Sequence, residues 1–166
     1  MKTQTQNIFI VDENKIMAAT LTQFLQNRFG DSVNITTFND GIICLEKVDE
    51  NTQIVILDYL LDGKQGLDIL KSIKNKNQNT EVIILSGHED IALAIESFRA
   101  GATDYVVKDN ASWKRISDLV SYILNTPIRL LVREFGVSKF VAIFLTTFIT
   151  MGIVVLAVLY KKEISR

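Results

Sequence analysis

Three short stretches of the chain, Ile8–Val11, Ile54–Leu57 and Val82–Leu85, are unbroken apolar runs rich in Ile and Val. Runs of this kind suit strands buried on both faces of a parallel sheet. Ser32–Phe38 alternates instead: Val33 and Ile35 are separated by Asn34 and Thr36, which suits a half-exposed edge strand. Asp104–Val107 is short and mixed and reads as the second edge. Between the strands the period changes. Met17, Leu21 and Leu25 recur every four residues over Lys15–Phe29, and Gly30 supplies a stop. Further helices are expected near Gly41–Val48, Leu67–Lys74, Asp90–Ala100 and Ser112–Leu124. The pattern is (βα)5. Right-handed crossovers then favour an α/β doubly wound open parallel sheet in the order 2-1-3-4-5, with the three fully apolar strands at its centre.

A different pattern closes the chain. Phe140 to Tyr160 is 21 residues without a charge, bounded by Lys139 and by Lys161 and Lys162. As a helix it would measure about 31 Å, close to the hydrocarbon thickness of a bilayer. The expected organisation is therefore a folded domain over 1–125, a juxtamembrane segment over 126–139, a transmembrane helix over 140–160 and a tail over 161–166. Thr126-Pro127 is a good start for a helix whose two faces carry Arg129, Arg133 and Gly136, and Ile128, Leu131 and Phe135. It reads equally as an interfacial helix or as early turns of the span.

Charge sharpens this division. The net charge is −1. It hides a net −5 over 1–125 and a net +4 over 126–166. Nothing in the total draws the chain to nucleic acid. One cysteine, Cys44, excludes an internal disulfide, and with one histidine, His88, there is no Cys/His zinc site. Basic residues flank the span three against three, so the positive-inside rule does not orient it. Ser138, Ala142, Thr146 and Thr150 recur every four residues, a small-residue stripe that suggests a homodimer through the span.

The chemistry sits at the C-terminal ends of the strands, where ligands bind in folds of this kind. The first strand runs into Asp12-Glu13 and the third into Asp58, so three carboxylates are expected at one point. Crowded carboxylates call for a cation, and hard oxygen ligands suit Mg²⁺. The fourth strand ends in Leu85-Ser86-Gly87 and the fifth in Val106-Val107-Lys108, adding a hydroxyl and an ammonium.

In these residues the sequence resembles the receiver domain of two-component response regulators, over roughly Ile8 to Leu124. The resemblance rests on Val11-Asp12-Glu13, Asp58 with Gly66 after it, Leu85-Ser86-Gly87, the Ala100–Tyr105 segment and Lys108, in that order. It implies that Asp58 accepts a phosphoryl group from a phosphohistidine on a sensor histidine kinase or phosphotransfer protein. It implies that Asp12, Glu13, Asp58 and the backbone carbonyl of Leu60 hold Mg²⁺, and that Lys108 pairs with the phosphoryl oxygens. Ser86 and Tyr105 match the switch pair that responds to phosphorylation. Outside catalysis of its own phosphorylation and dephosphorylation, no enzyme activity is expected. The donors and Mg²⁺ are cytoplasmic, so the domain is expected to face the cytoplasm from the inner membrane.

Two departures from the family stand out. Asp109 follows Lys108 where Pro is usual; a cis bond before a residue other than Pro costs about 3 kcal/mol, which favours trans and an altered loop. Asp62 takes the place of a Pro after Asp58 and reads as a solvated loop residue. His88 reads as an exposed loop residue, Trp113 as packed under the last helix, and Cys44 as an apolar filler. The sequence shows no DNA-binding effector, so output is expected through an unidentified protein partner. The alternative is a membrane-tethered scaffold with a receiver fold that phosphorylation does not regulate. A phosphohydrolase reading is disfavoured, because the second acid it needs is replaced by Leu60.

Overall fold

The structure, a computed structural model, describes residues 5–61, 64–125 and 139–164. The chain divides into two compact units, Met1–Ser121 and Tyr122–Arg166. In chain order the elements are β1 (Gln6–Val11), α1 (Lys15–Phe29), β2 (Val33–Phe38), α2 (Gly41–Lys47), β3 (Thr52–Asp58), β4 (Leu60–Leu61), β5 (Lys64–Gln65), α3 (Gly66–Lys76), β6 (Glu81–Ser86), α4 (Ile91–Arg99), β7 (Asp104–Val107), α5 (Ser112–Asn125) and α6 (Lys139–Ile164).

Five parallel strands form one sheet in the order β2-β1-β3-β6-β7. The expected doubly wound arrangement is present. Its last two strands are β6 and β7 because a short antiparallel pair, β4 with β5, stands between β3 and α3. The three apolar runs are the central strands, and β3 is buried along almost its whole length. Strand side chains alternate between faces. Val55, Leu57, Val82 and Ile84 share a cluster with Cys44 of α2 and Leu67, Leu70 and Ile73 of α3. The alternate residues Ile8, Ile10, Ile54 and Ile56 are buried on the opposite face. Arg28 of α1 and Asp118 of α5 are paired at 2.7 Å.

Local chemistry starts and stops the helices. Asn14, Asp40 and Asp90 cap α1, α2 and α4 with side-chain oxygens that accept backbone N–H groups of the first turn. Gly30 ends α1 at φ 54°, a conformation that suits glycine. The buried face of α1 is Ala18, Leu21 and Leu25, with Met17 only half-buried, so the stripe is rotated slightly from the expected one. Cys44 is fully buried, and burial pushes its thiol up to about 12, leaving it protonated and inert.

The second unit contains α6, a 26-residue helix. Among the described residues no helix is long and apolar enough to cross a membrane. The expected span over 140–160 therefore lacks support from them. Phe144, Phe148, Ile153 and Leu156 are exposed. Within the small-residue stripe, Thr146 and Thr150 donate to carbonyls of their own helix, at 2.9 Å to Ile143 and 3.0 Å to Thr146. Ser138, the side chain of Ala142, the segment 126–138 and Asp62 lie outside the described residues.

Candidate functional site

Residues 46 and 96 positions beyond Asp12 meet it at the C-terminal edge of the sheet. Asp12 follows β1, Asp58 ends β3, and the register pairs Val11 with Leu57, so the two carboxylates leave adjacent strands at one level. Ser86 ends β6 and pairs with Val107 of β7, which brings Lys108 to the same edge. The Lys108 Nζ lies 2.7 Å from Asp58 Oδ2 and 3.0 Å from Asp12 Oδ2. Asp12 and Asp58 are only 4% and 8% exposed. One partly buried ammonium thus bridges two buried carboxylates.

The remaining carboxylate oxygens are held by the main chain. Asn14 N–H donates to Asp12 Oδ1 at 2.8 Å, and Leu60 N–H donates to Asp58 Oδ1 at 3.2 Å. Gly66 supports Asp58 from behind. Its N–H donates to the Tyr59 carbonyl at 2.8 Å, and a Cβ at this position would lie 2.8 Å from the Asp58 carbonyl oxygen. No side chain fits there.

The charges at the site do not balance. Burial raises the Asp58 carboxyl above the usual carboxylate range, and Asp12 adds to the rise, while Lys108 opposes it. Burial acts to lower Lys108, but hydrogen bonds and charge from Asp58 and Asp12 outweigh it and hold the ammonium above its ordinary value. Two carboxylates against one ammonium leave an excess of negative charge in a buried place, which an added cation would relieve.

The third expected carboxylate, Glu13, follows Asp12 directly. Glu13 is exposed, and among the described residues no group of three or more His, Cys, Asp or Glu side chains is placed to hold a metal ion. Of the three expected carboxylates, Asp12 and Asp58 share the Lys108 ammonium. The donor chemistry still fits a hard cation: carboxylate oxygens, excess negative charge and the Leu60 carbonyl close by in the chain.

Beside the acids lies a hydroxyl pair. Ser86 is buried, and its Oγ accepts the His88 N–H at 3.1 Å and donates to the His88 carbonyl at 3.3 Å. The Tyr105 hydroxyl donates to the same carbonyl at 2.8 Å, and the Tyr105 ring is buried. Sequence reasoning placed both hydroxyls here and missed their meeting point, because a backbone carbonyl has no residue signature. The His88 side chain is exposed, as expected. Among the described residues every peptide bond is trans, Lys108–Asp109 included.

The chain is similar to known proteins. The family model described as response regulator receiver domain matches residues 8–120. The chain is 32% identical over 102 residues to the DNA-binding transcriptional regulator NtrC of Escherichia coli, covering 61% of this chain and 21% of that protein. It is 31% identical over 109 residues to the transcriptional regulatory protein ZraR of Klebsiella oxytoca, covering 65% and 24% respectively. The chain thus spans about a quarter or less of these relatives. Among solved structures, the BeF3-activated DrrB receiver domain superposes with a TM-score of 0.66 at 28% identity, covering 74% of this chain and 100% of that one.

Proposed function

Since the chain belongs to the response regulator receiver family, we propose that it accepts a phosphoryl group on Asp58 from the phosphohistidine of a sensor kinase or phosphotransfer protein. The single observation that carries this reading is the Lys108 ammonium, 2.7 Å from Asp58 and 3.0 Å from Asp12. Phosphoryl transfer depends on positioning and on neutralising the equatorial oxygens, with little covalent work for the protein. Lys108 stands where it can leave its carboxylate partners and pair with those oxygens.

In the transfer, an Asp58 carboxylate oxygen attacks phosphorus. The new P–O bond forms as the P–N bond to the donor imidazole breaks, and the imidazole takes a proton from solvent. Asp12, Asp58 and the Leu60 carbonyl, joined by Glu13, would hold Mg²⁺, which supplies charge neutralisation when bound. The chain's own groups do the rest. The Leu60 N–H orients the Asp58 carboxylate, and Gly66 leaves space for the backbone behind it. Ser86 can turn its hydroxyl from the His88 carbonyl toward the new phosphoryl oxygens. That removes one donor from a carbonyl shared with Tyr105 and gives the pair two discrete arrangements.

Output in this reading is a change in affinity for a protein partner, with α6 attaching the domain to the inner membrane and the domain facing the cytoplasm. Support for the attachment is the uncharged sequence from Phe140 to Tyr160. The hydroxyls of Thr146, Thr147 and Thr150 also bond within their own helix, as apolar surroundings require. Beyond its own phosphorylation and dephosphorylation the chain catalyses nothing in this reading.

The test is incubation of the full chain, in detergent, with acetyl phosphate and Mg²⁺, followed by intact-mass measurement. A gain of one phosphoryl group that Asp58→Asn abolishes supports the reading. An equal gain on the variant overturns it.

A further inference from the structure

We infer that Asp109 is a positioning residue for Lys108, a role that rests on the phosphoacceptor reading of Asp58. A long, flexible side chain reaches a fixed place only if its backbone is aimed. Lys108 is the first residue beyond β7, and its backbone is held from two sides. On the amide side, its N–H donates to the Ser86 carbonyl at 2.7 Å, the last bond of the β6–β7 ladder. On the carbonyl side the strand has ended, and the chain enters a turn built on Asp109.

Three hydrogen bonds close that turn. Asp109 Oδ1 accepts the Ala111 N–H at 2.8 Å. The Asp109 carbonyl accepts the Ser112 Oγ at 2.7 Å and the Ser112 N–H at 3.3 Å. Ser112 is the buried first residue of α5, so the turn is anchored to the fold at its far end. An Asp side chain that bonds its own backbone two residues on reproduces a turn without needing a restricted ring. Here it fixes the direction in which the chain leaves Lys108, and with it the Cα–Cβ vector that aims Nζ between Asp12 and Asp58.

Asp109 itself is exposed and touches none of the reacting atoms. Its influence passes through Lys108 alone. Errors in aim matter because a displacement of about 1 Å in a positioned group can lower a rate by roughly a hundredfold. Asn can accept the same N–H, whereas Ala cannot, so the two substitutions separate turn formation from charge.

The experiment compares the full chain with Asp109→Ala and Asp109→Asn, in detergent, using acetyl phosphate as the phosphodonor. Read-outs are the rate of phosphorylation by intact mass, the Mg²⁺ midpoint of that rate, and the melting temperature. Expected results are a rate reduced about tenfold or more in Asp109→Ala, restored to within about twofold in Asp109→Asn, with an unchanged Mg²⁺ midpoint in both. Phosphorylation of the unsubstituted chain combined with an equal rate in Asp109→Ala overturns the role of Asp109 alone. So does a slowing that Asn fails to rescue, which would make the carboxylate charge or general stability the cause. Absence of phosphorylation in the unsubstituted chain overturns the phosphoacceptor reading and the role of Asp109 with it.

Discussion

The hydroxyls of Ser86 and Tyr105 donate to one and the same acceptor, the backbone carbonyl of His88. The two residues lie on different strands, so the carbonyl couples β6 to β7 through side chains as well as through the ladder. Removing one donor changes what the other is worth. Ser86→Ala and Tyr105→Phe are expected to be non-additive, with a coupling of about 0.5 kcal/mol or more. Melting temperatures of the two single variants and the double variant measure it; strict additivity would uncouple the pair.

Asp58→Asn is expected to raise the melting temperature near neutral pH. The carboxyl of Asp58 is raised in the folded chain, chiefly by burial, so its ionised form opposes folding. A carboxyl raised on folding contributes stability that is fully present below its unfolded value and lost as pH rises through the folded value. The variant should therefore gain a few degrees at pH 7, and the gain should vanish as the pH falls below about 4. Added Mg²⁺ should narrow the gap at pH 7 by stabilising the unsubstituted chain more than the variant.

Lys108→Ala should have the opposite effect. It leaves Asp12 and Asp58 buried together with no ammonium between them, and breaking a buried pair in this way costs about 3–5 kcal/mol. A fall in melting temperature that Mg²⁺ partly reverses is the expected result. A variant as stable as the parent would mean that the bridge contributes nothing to the fold.

Gly66→Ala is expected to destabilise the chain by about 1–3 kcal/mol. The added methyl would meet the Asp58 carbonyl and the Tyr59 backbone, neither of which can move without disturbing Asp58. Gly87→Ala is the control, since a Cβ there meets nothing. Thermal melting of the pair shows whether the cost is specific to position 66.

Membrane attachment has its own test. Ile149→Arg with Ile153→Arg places two charges in the middle of the uncharged segment, each costing about 2.5–3.5 kcal/mol in a bilayer on the insertion scale. The parent should stay in the membrane pellet after alkaline extraction and the double variant should be released. Release of the parent itself would remove the anchor from the proposal.

Much of this was legible because it is written in periodicity. The unbroken runs ending in Asp12, Asp58 and Ser86 could only be central strands, and their common ends had to share an edge. The pair β4–β5 escaped notice because two-residue strands have no period; the Asp62-Gly63 dipeptide between them was the available signal. The shared His88 carbonyl and the turn at Asp109 were invisible for a related reason. Each has a main-chain group as one partner, and every residue carries the same main chain.

The bridge between Lys108 and the two acids joins residues 50 and 96 positions apart. During synthesis the carboxylates emerge long before the ammonium that holds them, and β7 is the last strand to join the sheet. The two acids gain their ammonium only when the fifth parallel strand is in place. On the phosphoacceptor reading, Asp58 becomes competent only once β7 has brought Lys108 to it.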